Sequence, residues 1–141
     1  MIALLSLLLQ MVSSAQGAAV TQVVVKEQNQ SYWFEVTLKS PDEGCEQYAD
    51  WWEIIDETGE LLYRRILTHS HVNEQPFTRS GGPLKISPDK IIIIRAHMNN
   101  LGYGEKVMKG SVKDGFISAT LAKTFAKSLE KTEPLPVGCR F

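Results

Sequence analysis

Three histidines, His69, His71 and His97, carry the most versatile side chains of this chain at neutral pH. His69 and His71 stand two apart in the run LTHSHVNE. On a continuing strand, alternate residues share a face, so both imidazoles point the same way, as in a His-x-His metal pair. With His97 as third ligand the set suits Zn²⁺ or Cu²⁺, and a thioether from Met98 favours Cu⁺. Alternation sends His97 and Met98 to opposite faces, so they join one site only where the strand ends. The competing reading is that the three imidazoles are separate hydrogen-bonding groups at strand ends, and no cofactor is then expected.

Acid chemistry is the next option. Asp50, Glu53 and Asp56 can furnish a carboxylate pair of the kind glycoside hydrolysis uses, although such spacing is common on solvated strands. Ser70 between two histidines forms no known triad, and there is no G-x-S-x-G elbow. Gly102-Tyr103-Gly104 lacks the third glycine of a dinucleotide fingerprint. A small hydrolase is therefore the third reading, with no catalytic residue assigned.

The leading reading is a binding surface. Residues 67–82 and 99–104 are polar, glycine-containing stretches flanking the strands with the histidines, and loops on a rigid scaffold are where recognition concentrates. The candidate contact residues are His69, His71, Asn73, Glu74, Phe77, Arg79, His97 and Tyr103. Arg95 interrupts an apolar strand and requires an acidic or carbonyl partner. Of the tandem Trp51 and Trp52, alternation puts one in the core and one towards a surface, where it can cover the core or stack a ligand.

The elements that must position these groups follow a period of two. Strands are expected at 20–26, 32–39, 51–56, 61–71, 84–86, 90–98 and 106–112, with Phe116-Ile117 after a turn. Asn29-Gln30-Ser31 reads as a hairpin turn, and as a sequon only in a eukaryotic secretory pathway. A helical turn is expected over 46–50 and a polar loop over 72–82. The four isoleucines at 91–94 point to a central strand covered on both faces. Leu121, Phe125 and Leu129 recur every four residues, predicting a short helix over 121–131. Some seven short strands with regular turns predict an antiparallel immunoglobulin-like β-sandwich with a C-terminal helix, the alternative being a small β-barrel.

Of 141 residues, 2–12 form an apolar run followed by small residues, the pattern of a secretory signal peptide within 1–19. Cleavage after Ala15 fits best, with a site near Ala19 as the alternative, leaving one domain over 20–141. No Lys or Arg precedes the run. With a net charge of −1 and no basic stripe, the chain offers nothing to attract nucleic acid. Cys45 and Cys139 are the only cysteines, and export makes them a disulfide pair, worth about 4–5 kcal/mol for so long a loop. A periplasmic or secreted location is expected, with a protein or envelope partner and no stable membrane span after cleavage.

The block GCEQYADWWEIIDETGELLYRRILTHSHVNEQPFTRSGG, followed by IIIIRAHMNNLGYG, resembles a family of small exported bacterial proteins of unknown function. The resemblance implies export and a compact β domain, and it carries over no functional residue.

Overall fold

The computed structural model describes residues 17–140, so the signal-peptide reading falls largely on residues outside those described. Nine strands follow in order: β1 (Ala19–Gln28), β2 (Ser31–Lys39), β3 (Ala49–Asp56), β4 (Leu61–Ile66), β5 (Phe77–Leu84), β6 (Ile92–Met98), β7 (Gly102–Tyr103), β8 (Lys106–Ser111) and β9 (Gly115–Thr120). They form two antiparallel sheets, ordered β1-β2-β5 and β4-β3-β6-β8-β9, with β7 also pairing β6. Chain crossings from β2 to β3, β4 to β5 and β5 to β6 pass between the sheets. This is the Greek-key order of an immunoglobulin-like sandwich, extended by the hairpin strand β9.

Alternation accounts for the inner faces. On β2, Tyr32, Phe34, Val36 and Leu38 are buried, and they meet Trp52 and Ile54 of β3 and Ile92, Ile94, Ala96 and Met98 of β6. Asn29 and Gln30 both take positive φ (52° and 64°) in the two-residue turn joining β1 to β2. That is the twist-matched hairpin connection.

The isoleucine strand is covered on both faces, as expected, and every residue of β3 and β6 is buried. The second cover is the C-terminal segment. Its Leu121, Phe125 and Leu129 pack on Ile55, Ile93 and Val107, on the face of the larger sheet that points away from the sandwich.

Four expectations are corrected. First, the strand expected over 61–71 ends at Ile66; Leu67 keeps the register with its N–H on the Asp50 carbonyl, and beyond it His69 pairs with Arg140 and His71 N–H turns to Asp42. Second, residues 77–84 form β5, not the end of a loop. Gly81 belongs in that strand because the rings of Trp52 and Tyr63 lie over it, within 2.7 Å of where a Cβ would sit. Pro83 is tolerated because β5 is an edge strand, and 84–86 is no separate strand.

Third, residues 44–47 make a small bridged turn and Ala49-Asp50 already belong to β3, so no helical turn forms at 46–50. Fourth, the helix over 121–131 is reduced to a 3-10 turn at Lys127–Lys131, preceded by Ala126 in the left-handed region. The apolar spacing was real, but Ala126 at φ 48° interrupts the helical path, and the bonds on either side of it are i→i+3.

Candidate functional site

Sheet register places an ion cluster on the covered face. Glu53 on β3 lies opposite Arg64 of β4 on one side and Arg95 of β6 on the other. Its Oε1 accepts Arg64 Nε (3.0 Å) and Nη2 (2.8 Å), Trp51 Nε1 (2.6 Å) and Tyr103 Oη (3.1 Å). Its Oε2 accepts Arg95 Nε (3.2 Å) and Nη2 (3.1 Å). None of the three charged side chains is more than 1% exposed.

The remaining guanidinium donors reach the main chain of the C-terminal segment. Arg64 donates to the carbonyls of Leu129 (2.7 Å), Pro134 (2.9 Å) and Thr132, and Arg95 to those of Phe125 (2.6 Å) and Ala126 (3.2 Å). Within 121–131 these bonds reach the carbonyls of Phe125, Ala126 and Leu129, and the last two also accept the N–H groups of Leu129 and Thr132 in the 3-10 turn. Burial, with the Glu53 charge beside it, pushes the Tyr103 phenol far above its ordinary value, so it stays a donor. Arg95 lies 3.5 Å over the Tyr103 ring and Arg64 4.3 Å over Trp51. Glu53 is thus saturated as an acceptor, and Trp51 is covered rather than offered as a stacking platform.

Asp50 and Asp56 are committed as well. Asp50 bonds His97, and burial raises its carboxyl above the ordinary range. Asp56 Oδ1 caps the β3–β4 turn through the N–H groups of Thr58 and Glu60. The hydrolase reading therefore finds no free carboxylate pair among Asp50, Glu53 and Asp56.

The three histidines diverge, which corrects the metal reading. His69, outside any strand, bonds the Arg140 carbonyl through Nδ1 (2.8 Å). His71 stacks on Phe77 with ring centroids 3.9 Å apart, and its Nε2 accepts from Arg79 (2.9 Å). His97 stacks on Trp51 at 3.7 Å, with Nδ1 2.6 Å from Asp50 and Nε2 3.1 Å from Glu130. Among the described residues no three His, Cys, Asp or Glu side chains are grouped to hold a metal ion. The same-face argument failed because the strand stops before His69.

Arg79 can only donate, so the hydrogen of neutral His71 sits on Nδ1, which has no partner closer than Asp42 Oδ2 at 3.9 Å. Burial first, and the Arg79 charge second, hold His71 below its ordinary value of 6.5. Folding accordingly weakens as pH falls from 6.5, because the unfolded chain takes up that proton first. Arg79→Gln is expected to move the His71 midpoint upward in an NMR titration of its ring protons. An unmoved midpoint leaves burial as the sole cause.

What the fold does bring together is one end of the sandwich. Residues 40–48, 67–76 and 99–101 and the tail at 139–140 meet there. Asp42, its carboxylate fully buried, is the hub: Oδ1 accepts Ser40 Oγ (2.7 Å) and Ala49 N–H (3.0 Å), and Oδ2 accepts His71 N–H (2.8 Å). Asn99 accepts from Tyr48 N–H (2.9 Å) and donates to the Cys45 carbonyl (3.0 Å). Ser70 Oγ accepts Gly44 N–H (3.0 Å). The disulfide Cys45–Cys139 ties the tail across this end, as expected from the sequence.

Two open clefts flank it. One, of about 540 Å³, lies among Trp51, His97, Asn99, Asn100, Glu130 and Leu135, and the other, of about 460 Å³, among His69, Ser70, His71, Val72, Asn73 and Arg140. Of the eight candidate contact residues, His71, Phe77, His97 and Tyr103 are buried and serve the scaffold. His69, Asn73 and Glu74 are exposed, and Arg79 is half-buried. Asp42, Asn99 and the exposed Val72 were not singled out by sequence. Asp42, after a strand and beside Pro41, carries no mark in the sequence of the loops it joins.

The chain is similar to a protein of Halomicrobium mukohataei described as a "putative lipoprotein", 37% identical over 82 residues. That match takes in 58% of this chain and 40% of the relative, so the chain spans well under two thirds of the relative's length. No protein-family model and no solved structure matches the chain. Similarity to a lipoprotein and a structural disulfide are the features of an exported protein. Among the described residues no helix is long and apolar enough to cross a membrane.

Proposed function

We propose that the protein is a non-catalytic binding module, periplasmic or secreted, that meets its partner with the loop end of the sandwich. The observation that carries this reading is the rigid assembly of three sequence-distant loops around Asp42, Asn99 and the disulfide. Loops held in a fixed arrangement on a scaffold are where recognition concentrates. The outward residues are Val72, which is 53% exposed, and the exposed Asn73, Glu74 and Asn100. An exposed apolar side chain followed by an amide and a carboxylate suits a protein surface. Similarity to a protein described as a "putative lipoprotein" and the disulfide support placing that partner in the cell envelope or outside the cell.

A photo-crosslinking residue at 72 or 100 tests this on cells producing the protein. A discrete adduct is expected from both positions and none from position 29, at the opposite end. Val72→Asp combined with Asn73→Ala should suppress the adduct while the melting temperature holds. Adducts from 29 as strong as those from 72, or none from the loop end, would overturn the reading.

A further inference from the structure

We propose that β9 is a self-association edge, through which two copies of the chain pair antiparallel into one continuous sheet. This surface lies away from the loop end and does not rest on the binding reading above.

Among the described residues the sandwich has four edge strands, and three are protected. β1 carries a register break between Val20 and Gln22 and the charged pair Lys26-Glu27. β4 and β5 are bridged by Arg65, which donates to the Ser80 carbonyl (2.9 Å), and β5 also contains Pro83. Bulges, charges and proline are the ordinary means of blunting an edge. β9 reads GFISAT, with neither charge nor proline, and no residue in it is buried. Ile117 is 73% exposed. The three-stranded sheet is narrower than the one β9 terminates, so the strand overhangs.

Register decides which groups are free and which occupant fits. Leu121 N–H bonds the Glu105 carbonyl (2.8 Å), and Lys106 lies opposite Thr120. Odd-numbered residues of β9 therefore direct their main-chain groups to β8, and Phe116, Ser118 and Thr120 direct theirs outward.

A two-fold axis through Ile117 sets Phe116 of each copy opposite Ser118 of the other, so free N–H and C=O groups meet reciprocally on both sides of the axis. It also sets the two Ile117 side chains against each other as a non-hydrogen-bonded pair, where side chains lie closest. No like charges face each other in this register: Asp114 meets Thr120 and Lys113 meets Leu121. The edge is self-complementary, which argues for a second copy over an unrelated peptide. A single six-residue ladder buries less than a standard interface, so the dimer is weak and concentration-dependent.

Sedimentation equilibrium on the oxidised full chain, from micromolar to millimolar concentration, reads it. Mass should rise towards a dimer, and amide NMR shifts should move with concentration at residues 116–120. Ile117→Lys and Ser118→Pro should each weaken association at least about tenfold. Ser118 N–H faces outward, so the proline removes no bond to β8, and Ile117→Lys tests the same edge if the proline variant misfolds. A monomer at every concentration overturns the proposal. So does a dimer that survives both substitutions, or shifts confined to another edge.

Discussion

Glu53→Ala is expected to lower the free energy of unfolding by about 3–5 kcal/mol, a large share of what a domain of this size possesses. The substitution strands Arg64 and Arg95, neither more than 1% exposed, without a counter-charge. It also leaves the Trp51 indole N–H and the Tyr103 hydroxyl without their acceptor. Urea denaturation followed by tryptophan fluorescence reads this directly, since Trp51 sits in the cluster.

A second measurement separates this arrangement from an ordinary buried ion pair. Replacing such a pair by apolar residues of similar volume is often neutral. Here the triple variant Glu53→Leu, Arg64→Met, Arg95→Met is expected to remain destabilised, because five main-chain carbonyls of the C-terminal segment lose a guanidinium donor and only those of Ala126 and Leu129 keep another, from Leu129 and Thr132 N–H. A triple variant as stable as the native chain would show that the segment needs only its apolar contacts.

Removal of the disulfide carries the other large effect. Cys45 and Cys139 are 94 residues apart. Closing that loop limits the unfolded chain by about 4–5 kcal/mol on the entropy model, and measured losses for natural disulfides run about 2–5. Cys139→Ser together with Cys45→Ser should therefore lower the melting temperature by on the order of 10 °C. The loss should be uneven. Residues up to 134 remain held by the arginines, whereas the tail beyond Pro134 keeps only the Arg140 bonds to Thr68 and His69. Amide exchange should accordingly rise first at the tail and at 67–74, before β3 or β6 responds. Uniform loss of protection across both sheets would mean that the disulfide supports the core rather than the loop end.

The sandwich was legible because its strands obey simple alternation. Tyr32 to Leu38 and the isoleucines of β6 needed only a period of two, and Asn29-Gln30 fell where a tight hairpin requires positive φ. Arg95 announced its need of a partner by interrupting an apolar strand. Its partner, Glu53, was noticed only as an acid, because cross-strand register is a property of two segments together.

Long-range bonds hid the rest. His69 and His71 leave the strand pattern because Arg140 and Asp42, distant in sequence, capture them. Gly81 and Gly82 looked like a loop until the rings over them were known. In the segment over 121–131 guanidinium groups compete for the carbonyls of Phe125, Ala126 and Leu129, a competition that no local propensity reports.

That competition has a consequence for how the C-terminal segment can change. Arg64 and Arg95 grip oxygen atoms common to every residue type, so the segment's place on the sheet is specified by its path rather than by its side chains. Leu121, Phe125, Leu129, Glu130 and Cys139 are positions where residue type is constrained by contact. Between them the exposed side chains are expected to tolerate substitution while the segment stays seated, whereas an insertion that changes the path would pull carbonyls off the arginines.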